Sequence, residues 1–425
     1  MTARGLNTET QSVFRSAIQP EQFGARADQM LSKRTSAAVS ILIAIVAGAL
    51  VLSTSGVSDS SRPISLLIGA SLGFAFERGR FCFFCLFRDA TESRHTRPLL
   101  SVVTAIAVGA IGYAVMFGLY LPNSKGEGLP PGAHIAPVSF PLIVGAAAFG
   151  LGMVLSGACV SGHLYRIGQG YLRAIPALFG CLIGFGLGFF TWNKLFLEQV
   201  SESPVLWLPR WLGYSGSLAL VLFVLAVVAI FLLRINRQPV DEAAQLPTPS
   251  QKAGDEIIDV LFIRRWSPVT TGTIIGLIGV VAYIRTTPLG VTSQLSSISR
   301  SVLDSRGLLP EVLHGIDMMR GCVATVTSTV TDNGWLVIGF VAASLAAAIG
   351  GGRFKLQIPT LGNSATALIG GVFLGWGSLT ALGCTVGVLL SGTQAFAVSG
   401  FVFLIVVYAV VTLGVKLKLH RLFGA

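Results

Sequence analysis

The chain has 425 residues, 52% hydrophobic and only 12% charged, with 50 glycines and a formal net charge of +11. Ordinary soluble domains carry about 25% charged residues. Stretches such as 98–121 and 218–233 hold no charge at all, over lengths near the roughly 20 residues that cross a bilayer. A soluble domain is therefore excluded, and so is a transmembrane barrel, because no alternating strand pattern runs through the chain. The positive balance does not indicate nucleic acid, since Lys and Arg in so apolar a chain gather in cytoplasmic loops and set orientation. A smaller share can draw anions to the surface.

Residues 1–36 are polar and mixed in charge, unlike a secretory leader, with a short amphipathic piece around 17–31. The first transmembrane half, 37–233, opens with a span at 37–52 behind Lys33 and Arg34. The next apolar run, 64–76, is too short to cross alone. Glu77-Arg78-Gly79-Arg80 interrupts it before 81–87 resumes, the pattern of a discontinuous or re-entrant helix. Non-helical backbone at that depth is tolerated only inside protein or lining a cavity. After Arg88, Arg94 and Arg97 come a span at 98–121, a loop rich in Gly and Pro, the stretch 149–162, and spans at 174–192 and 211–233. His163 reads as an interfacial group at a span end. Trp207, Trp211 and Tyr214 fit an interfacial aromatic belt.

Residues 234–267 form a polar linker, placed in the cytoplasm by Arg234, Arg237, Lys252, Arg264 and Arg265. Six crossings then fill the first half and leave the N-terminus cytoplasmic. The second half, 268–416, has spans near 269–284, 335–350, 368–382 and 395–415, and a Ser-rich stretch at 286–309 that the pattern leaves unassigned. The basic tail, 417–425, is again cytoplasmic. The whole makes about nine or ten spans.

Two stretches share Gly-x-Gly-x6-Cys-x2-Gly without a gap: one carries Gly152, Cys159 and Gly162, the other Gly377, Cys384 and Gly387. A looser third places Cys82 nine residues after Gly73, with Cys85 where the last Gly would stand. Small residues let helices approach closely, and glycine permits the positive φ that ends a helix. A helix broken at Cys turns backbone N–H groups toward a ligand, and such ends favour anions. A thiol is soft and a weak donor, suited to a ligand with a soft sulfur atom. A desolvated site with no nearby cation disfavours thiolate, and Asp and Glu are scarce in the spans, so neutral thiols are expected. Charge placement also hints at inversion. His163–Arg173 follow Cys159 on the cytoplasmic side, whereas Arg353 and Lys355 precede the Cys384 run there.

Competing readings of the six cysteines are weaker. Cys82-x-x-Cys85 lacks the two further ligands a zinc site needs. As a redox pair it would want an electropositive, accessible setting, which Arg80 and Arg88 leave open. Cys181 fits a buried small hydrophobe, and Cys322 is either incidental or the second-half counterpart of Cys82. No nucleotide-binding loop is present.

Taken together, Gly73 to Cys82 with Phe87-Arg88-Asp89, Ser156-Gly-Ala-Cys159 with Tyr165-Arg166, and Leu382-Gly-Cys384 resemble the YeeE/YedE family of inner-membrane sulfur-compound transporters, over roughly 37–416. The resemblance implies an all-α polytopic fold of two pseudo-symmetric halves, with broken Gly-Cys helices meeting near the midplane. It implies import of thiosulfate or a related sulfur anion through the bacterial inner membrane, past Cys82, Cys159 and Cys384. Gly73, Gly152, Gly162, Gly377 and Gly387 would support that path, with no metal, cofactor or enzymatic step. For some members it also implies a small cytoplasmic sulfur carrier of the TusA type. The N-terminal segment, linker, Ser-rich insertion and Cys85 depart from shorter members. The spacing looks closer to the YedE branch, associated with selenium metabolism. A selenium-compound transporter, or a membrane thiol oxidoreductase using Cys82 and Cys85, are the alternatives.

Overall fold

Local signals set the helix starts. Ser139, Ser267, Thr331 and Thr360 each occupy an N-cap and accept a backbone N–H from three residues on, meeting one of the donors a helix start leaves open. Pro141 and Pro268 sit in the first turn, where no N–H is required. The computed structural model describes residues 20–54, 61–126, 128–236, 258–316, 324–327 and 329–421. In chain order the helices are α1 (Pro20–Thr54), α2 (Ser61–Gly79), α3 (Phe83–Glu92), α4 (Leu100–Tyr120), α5 (Phe140–Ser156), α6 (Val160–Gly168), α7 (Ala174–Leu195) and α8 (Pro209–Ile235). There follow α9 (Pro268–Arg285), α10 (Ser293–Asp304), α11 (Asp332–Gly350), α12 (Leu361–Thr380), a π-helical segment (Thr385–Gly392) and α13 (Val398–Lys416).

Among the described residues, 8 helices are long and apolar enough to cross a membrane, or 9 if α12 and the π-helical segment, bent by 42°, form one broken span. This is a multi-pass helical membrane protein. The count reaches only the low end of the sequence expectation because α2, although 19 residues long, carries Arg62, Glu77 and Arg78, and α3 has only 10 residues. α1 runs unbroken from Pro20 into the first span. Residues 1–19, most of the linker, Cys322 and residues 422–425 lie outside the described residues.

Glycine seams hold the bundle together. A Cβ on Gly69 or Gly73 of α2 would strike the backbone of Leu336 or Phe340 on α11, so these two helices run parallel in direct backbone contact. The same holds between Gly180 and Gly184 of α7 and Leu368 and Val372 of α12, and between Gly272 and Gly276 of α9 and Ser101 and Ala105 of α4; across α5 and α13, Gly150 makes room for Val410 and Gly414 for Val154. In a bilayer, such close approach supplies the packing energy that apolar burial cannot.

The pairings cross between halves. Two strings follow the same order: α2, α3, α4, α5, α6, α7 and then α9, α10, α11, α12, the π-helical segment, α13. α2 packs on the counterpart of α4, α4 on the counterpart of α2, α5 on the counterpart of α7, and α7 on the counterpart of α5. The counterparts α5 and α12 run antiparallel, Gly145 lying against Ala381 and Gly152 against Gly370. Exchanged partners and opposed directions are what an inverted repeat produces. One end of the bundle gathers Arg34, Arg166, Arg265, Arg353 and Arg421 and is called the basic end below.

Trp207 does not belong to an aromatic belt. It is fully buried, donates Nε1–H to the Ala395 carbonyl at 2.8 Å, and packs against Phe117 and Tyr214. Proximity to a span end made it look interfacial, but a buried Trp needs only one acceptor for its N–H. Trp211 is 55% exposed and keeps an outward position.

Candidate functional site

Each of the three motif cysteines is the N-cap of a short helix: Cys82 of α3, Cys159 of α6, and Cys384 of the π-helical segment. Two residues before each stands a left-handed residue, Arg80 at φ 50°, Gly157 at φ 84° and Leu382 at φ 61°. That conformation breaks the preceding helix. It costs a non-glycine residue roughly 1–3 kcal/mol, a strain the surrounding structure must hold. Glycine spacing therefore marks the elements, but of these three left-handed residues only Gly157 is a glycine. Gly73, Gly152 and Gly377 serve helix contact instead. No thiol caps its own helix, so the side chains remain available to one another.

Gly162 brings two of them together. A Cβ at Gly162 would lie 2.8 Å from the Cys82 sulfur and 3.4 Å from the Cys159 sulfur. The Cys82 thiol lies beside both Cys159 and Cys85. Cys159 also meets the Ser161 hydroxyl at 3.3 Å and has Thr385, the residue after Cys384, beside it. Cys82, Cys159 and Cys384 are fully buried. The first two are in contact, and the third joins through Thr385. The backbone at Gly387 is buried in the π-helical segment.

Arg166 ties this arrangement to the basic end. Its Nη1 donates to the Gly157 carbonyl at 2.8 Å and its Nη2 to the Cys85 sulfur at 3.0 Å. One guanidinium thus clamps the break before Cys159 and places a cation at the Cys82–Cys85 pair, where the sequence led us to expect none. Sequence reading missed this contact, although Arg166 is one turn beyond Gly162 on a helix known to start at the thiol. His163 is corrected as well: it is 2% exposed with Nε2 unpaired, an interior group and not an interfacial one. Cys181 is buried where α7 crosses Gly375 of α12, in keeping with a packing role. Among the described residues no cluster of three or more His, Cys, Asp or Glu could hold a metal ion.

The inverted repeat has a fourth slot. Counterpart to Cys82, at the N-cap of α10, is Thr292. It is 1% exposed and its hydroxyl has no hydrogen-bond partner. The Ser-rich stretch left unassigned in sequence is this helix, with Ser293, Ser296, Ser297 and Ser299 buried. The chain before it touches the π-helical segment, Ser391 donating to the Leu289 carbonyl at 3.0 Å. Thr385 and Ser378 likewise keep buried hydroxyls without a well-formed hydrogen bond. Unsatisfied buried polar groups are rare and each asks for a reason.

A helical bundle whose interior holds three broken helices, each starting at a cysteine, in an inverted repeat has the architecture of a membrane transporter. The chain belongs to the sulphur transport family, whose model matches residues 78–413. It is 26% identical over 355 residues to the thiosulfate transporter TsuA of Escherichia coli strain K12, covering 80% of this chain and 90% of that protein. It is 27% identical over 354 residues to the thiosulfate transporter TsuA of Spirochaeta thermophila, covering 79% and 92%. Similarity to the probable transporter YedE of E. coli K12 is 26% over 170 residues, 40% of each chain. The TsuA similarity thus runs through both halves, twice the length of the YedE similarity. These relatives are named transporters, so the redox-enzyme reading of Cys82 and Cys85 is not carried forward.

Proposed function

We propose that the protein carries thiosulfate, or a closely related sulfur oxyanion, through the bacterial inner membrane along Cys82, Cys159 and Cys384. The observation that carries this reading is the meeting of the Cys82 and Cys159 sulfurs over Gly162, each thiol at the N-terminus of a broken helix. The helix ends contribute about half a positive charge each, enough to favour an anion where no bulk water solvates it. The thiols supply soft, weak S–H donors to the terminal sulfur. The hydroxyls of Thr385 and Thr292 suit the harder oxygens. No covalent bond to the anion forms; it passes from donor to donor as neutral thiols exchange hydrogen bonds.

The similarity to two thiosulfate transporters over about four-fifths of the chain supports the substrate class. The basic end faces the cytoplasm in this reading, by the loop-charge rule. The substrate then leaves past Cys85 and Arg166, where a small sulfur-carrier protein of the TusA type can receive it. Growth of a thiosulfate-uptake-deficient bacterium on thiosulfate, with and without this gene, tests the proposal. Growth restored by the wild type and not by Cys159→Ala supports it. Failure of the wild type to restore growth while present in the membrane removes it.

A further inference from the structure

α2 ends in Glu77-Arg78-Gly79-Arg80, and two of these charged side chains are completely buried. Glu77 is fully used. Arg353 grips both its oxygens, Nε to Oε1 at 2.7 Å and Nη2 to Oε2 at 2.9 Å, and Gln169 adds a third bond at 3.2 Å. The Glu77 carbonyl accepts from Arg265 Nη1 at 3.3 Å.

Arg78 stands differently. Its Nη1 donates to the Phe262 carbonyl at 2.7 Å, but its Nε and Nη2 are buried with no hydrogen-bond partner. These two nitrogens form one edge of the guanidinium, the same edge with which Arg353 holds the Glu77 carboxylate. Arg353 and Arg265 are close enough to act electrostatically on Arg78. The other carboxylate nearby, Asp259, faces Arg264 at 3.4 Å. Three guanidiniums, Arg78, Arg265 and Arg353, thus share one buried carboxylate. Burial, then the charge of Arg80 and Arg353, pulls the Arg265 guanidinium down to about 10. A buried cation with an unpaired fork is costly to keep, and an arginine fork matches two oxygens of one anion.

We propose that the Nε–Nη2 edge of Arg78, beside Arg265, holds a tetrahedral sulfur oxyanion by two of its oxygens at the basic end of the path. The inference rests on the transport reading for the kind of anion and adds a resting place beyond the thiols, four residues before Cys82. Both nitrogens are closed to solvent in this structure, so the anion enters as the Glu77–Arg353 pair loosens. Contact through oxygens alone needs no soft sulfur, so sulfate binds there as well as thiosulfate does.

The test is equilibrium binding of radiolabelled sulfate to the full-length protein in phosphatidylcholine nanodiscs, with melting followed in parallel. The expected result is one sulfate per chain in the wild type and in the triple variant Cys82→Ala, Cys159→Ala, Cys384→Ala. Arg78→Gln weakens binding at least tenfold, and sulfate raises the melting temperature of the wild type but not of Arg78→Gln. Arg78→Lys, which keeps the charge without the fork, falls between them. Unchanged binding in Arg78→Gln overturns the proposal, and so does loss of binding in the triple-cysteine variant. Repeating the melts in phosphatidylglycerol discs separates the sources of the anion. Stabilisation that depends on Arg78 and follows lipid charge, with no sulfate bound, makes a headgroup the occupant and overturns the proposal too. Arg78-dependent sulfate binding in a protein that fails to import thiosulfate would leave this site standing and remove the transport reading.

Discussion

The Cys82 sulfur rests 2.8 Å from where Gly162 would carry a β-carbon, so a hydrogen on Gly162 is what allows two thiols from different broken helices to meet. Contacts below 3.0 Å to a Cβ force something to shift, and here the neighbour is a short side chain in a fully packed interior. Gly162→Ala is therefore expected to displace Cys82 and cut thiosulfate uptake roughly tenfold, equivalent to about 1.4 kcal/mol on the barrier. Uptake per unit of protein in the membrane measures this. Normal uptake would mean that contact between the two thiols is not required.

The fourth slot gives an independent test of the inverted repeat. Thr292→Val keeps shape and removes the hydroxyl that lies buried without a partner. Removing an unpaired buried hydroxyl should leave stability unchanged or slightly improved. Uptake should nevertheless fall several-fold, if Thr292 serves the path as Cys82 does. Measured melting and uptake on the same preparation decide it, and unaltered uptake would reduce Thr292 to a packing residue.

Cys384→Ala should impair uptake severely while Cys181→Ala stays near wild type. Both are fully buried, so loss of packing is similar, on the order of 1 kcal/mol for a small side chain. Only Cys384 starts a broken helix. A larger transport defect in Cys181→Ala than in Cys384→Ala would contradict the assignment.

Acid should destabilise the protein through His134, in the loop before α5. Burial pulls this imidazole from 6.5 down to about 4. The unfolded chain thus binds the proton more readily between those values. Stability is fully present above pH 6.5 and falls as pH drops toward 4, by about 2 kcal/mol at pH 5. His134→Gln should flatten that part of the pH dependence of the melting temperature, and an unchanged profile would assign the acid sensitivity elsewhere.

Much of this was legible in sequence because the chemistry is local. Cys82, Cys159 and Cys384 sit nine residues beyond a glycine, and charge interrupts an apolar run at Glu77–Arg80, so the broken helices could be read directly. Thr292 was not legible, because its slot keeps the geometry of the repeat but neither the cysteine nor the glycine spacing. The Glu77–Arg353 pair joins residues far apart in the chain, and nothing local in either segment announces the other. His163 and Trp207 were misplaced for one reason: position near a span end does not reveal that α6 and the loop before α8 turn inward.

The most direct measurement is uptake of thiosulfate and sulfite by Cys159→Ser, normalised to protein in the membrane and compared with wild type. Serine keeps size and hydrogen bonding but replaces a soft donor with a hard one, leaving the terminal sulfur poorly matched. Desolvating an unmatched polar group costs about 1–3 kcal/mol, so thiosulfate uptake should fall roughly ten- to a hundredfold. Sulfite, which presents oxygens, should be affected less. Equal loss for both anions would contradict soft-donor passage, and a persulfide trapped on Cys159 would replace it with covalent relay.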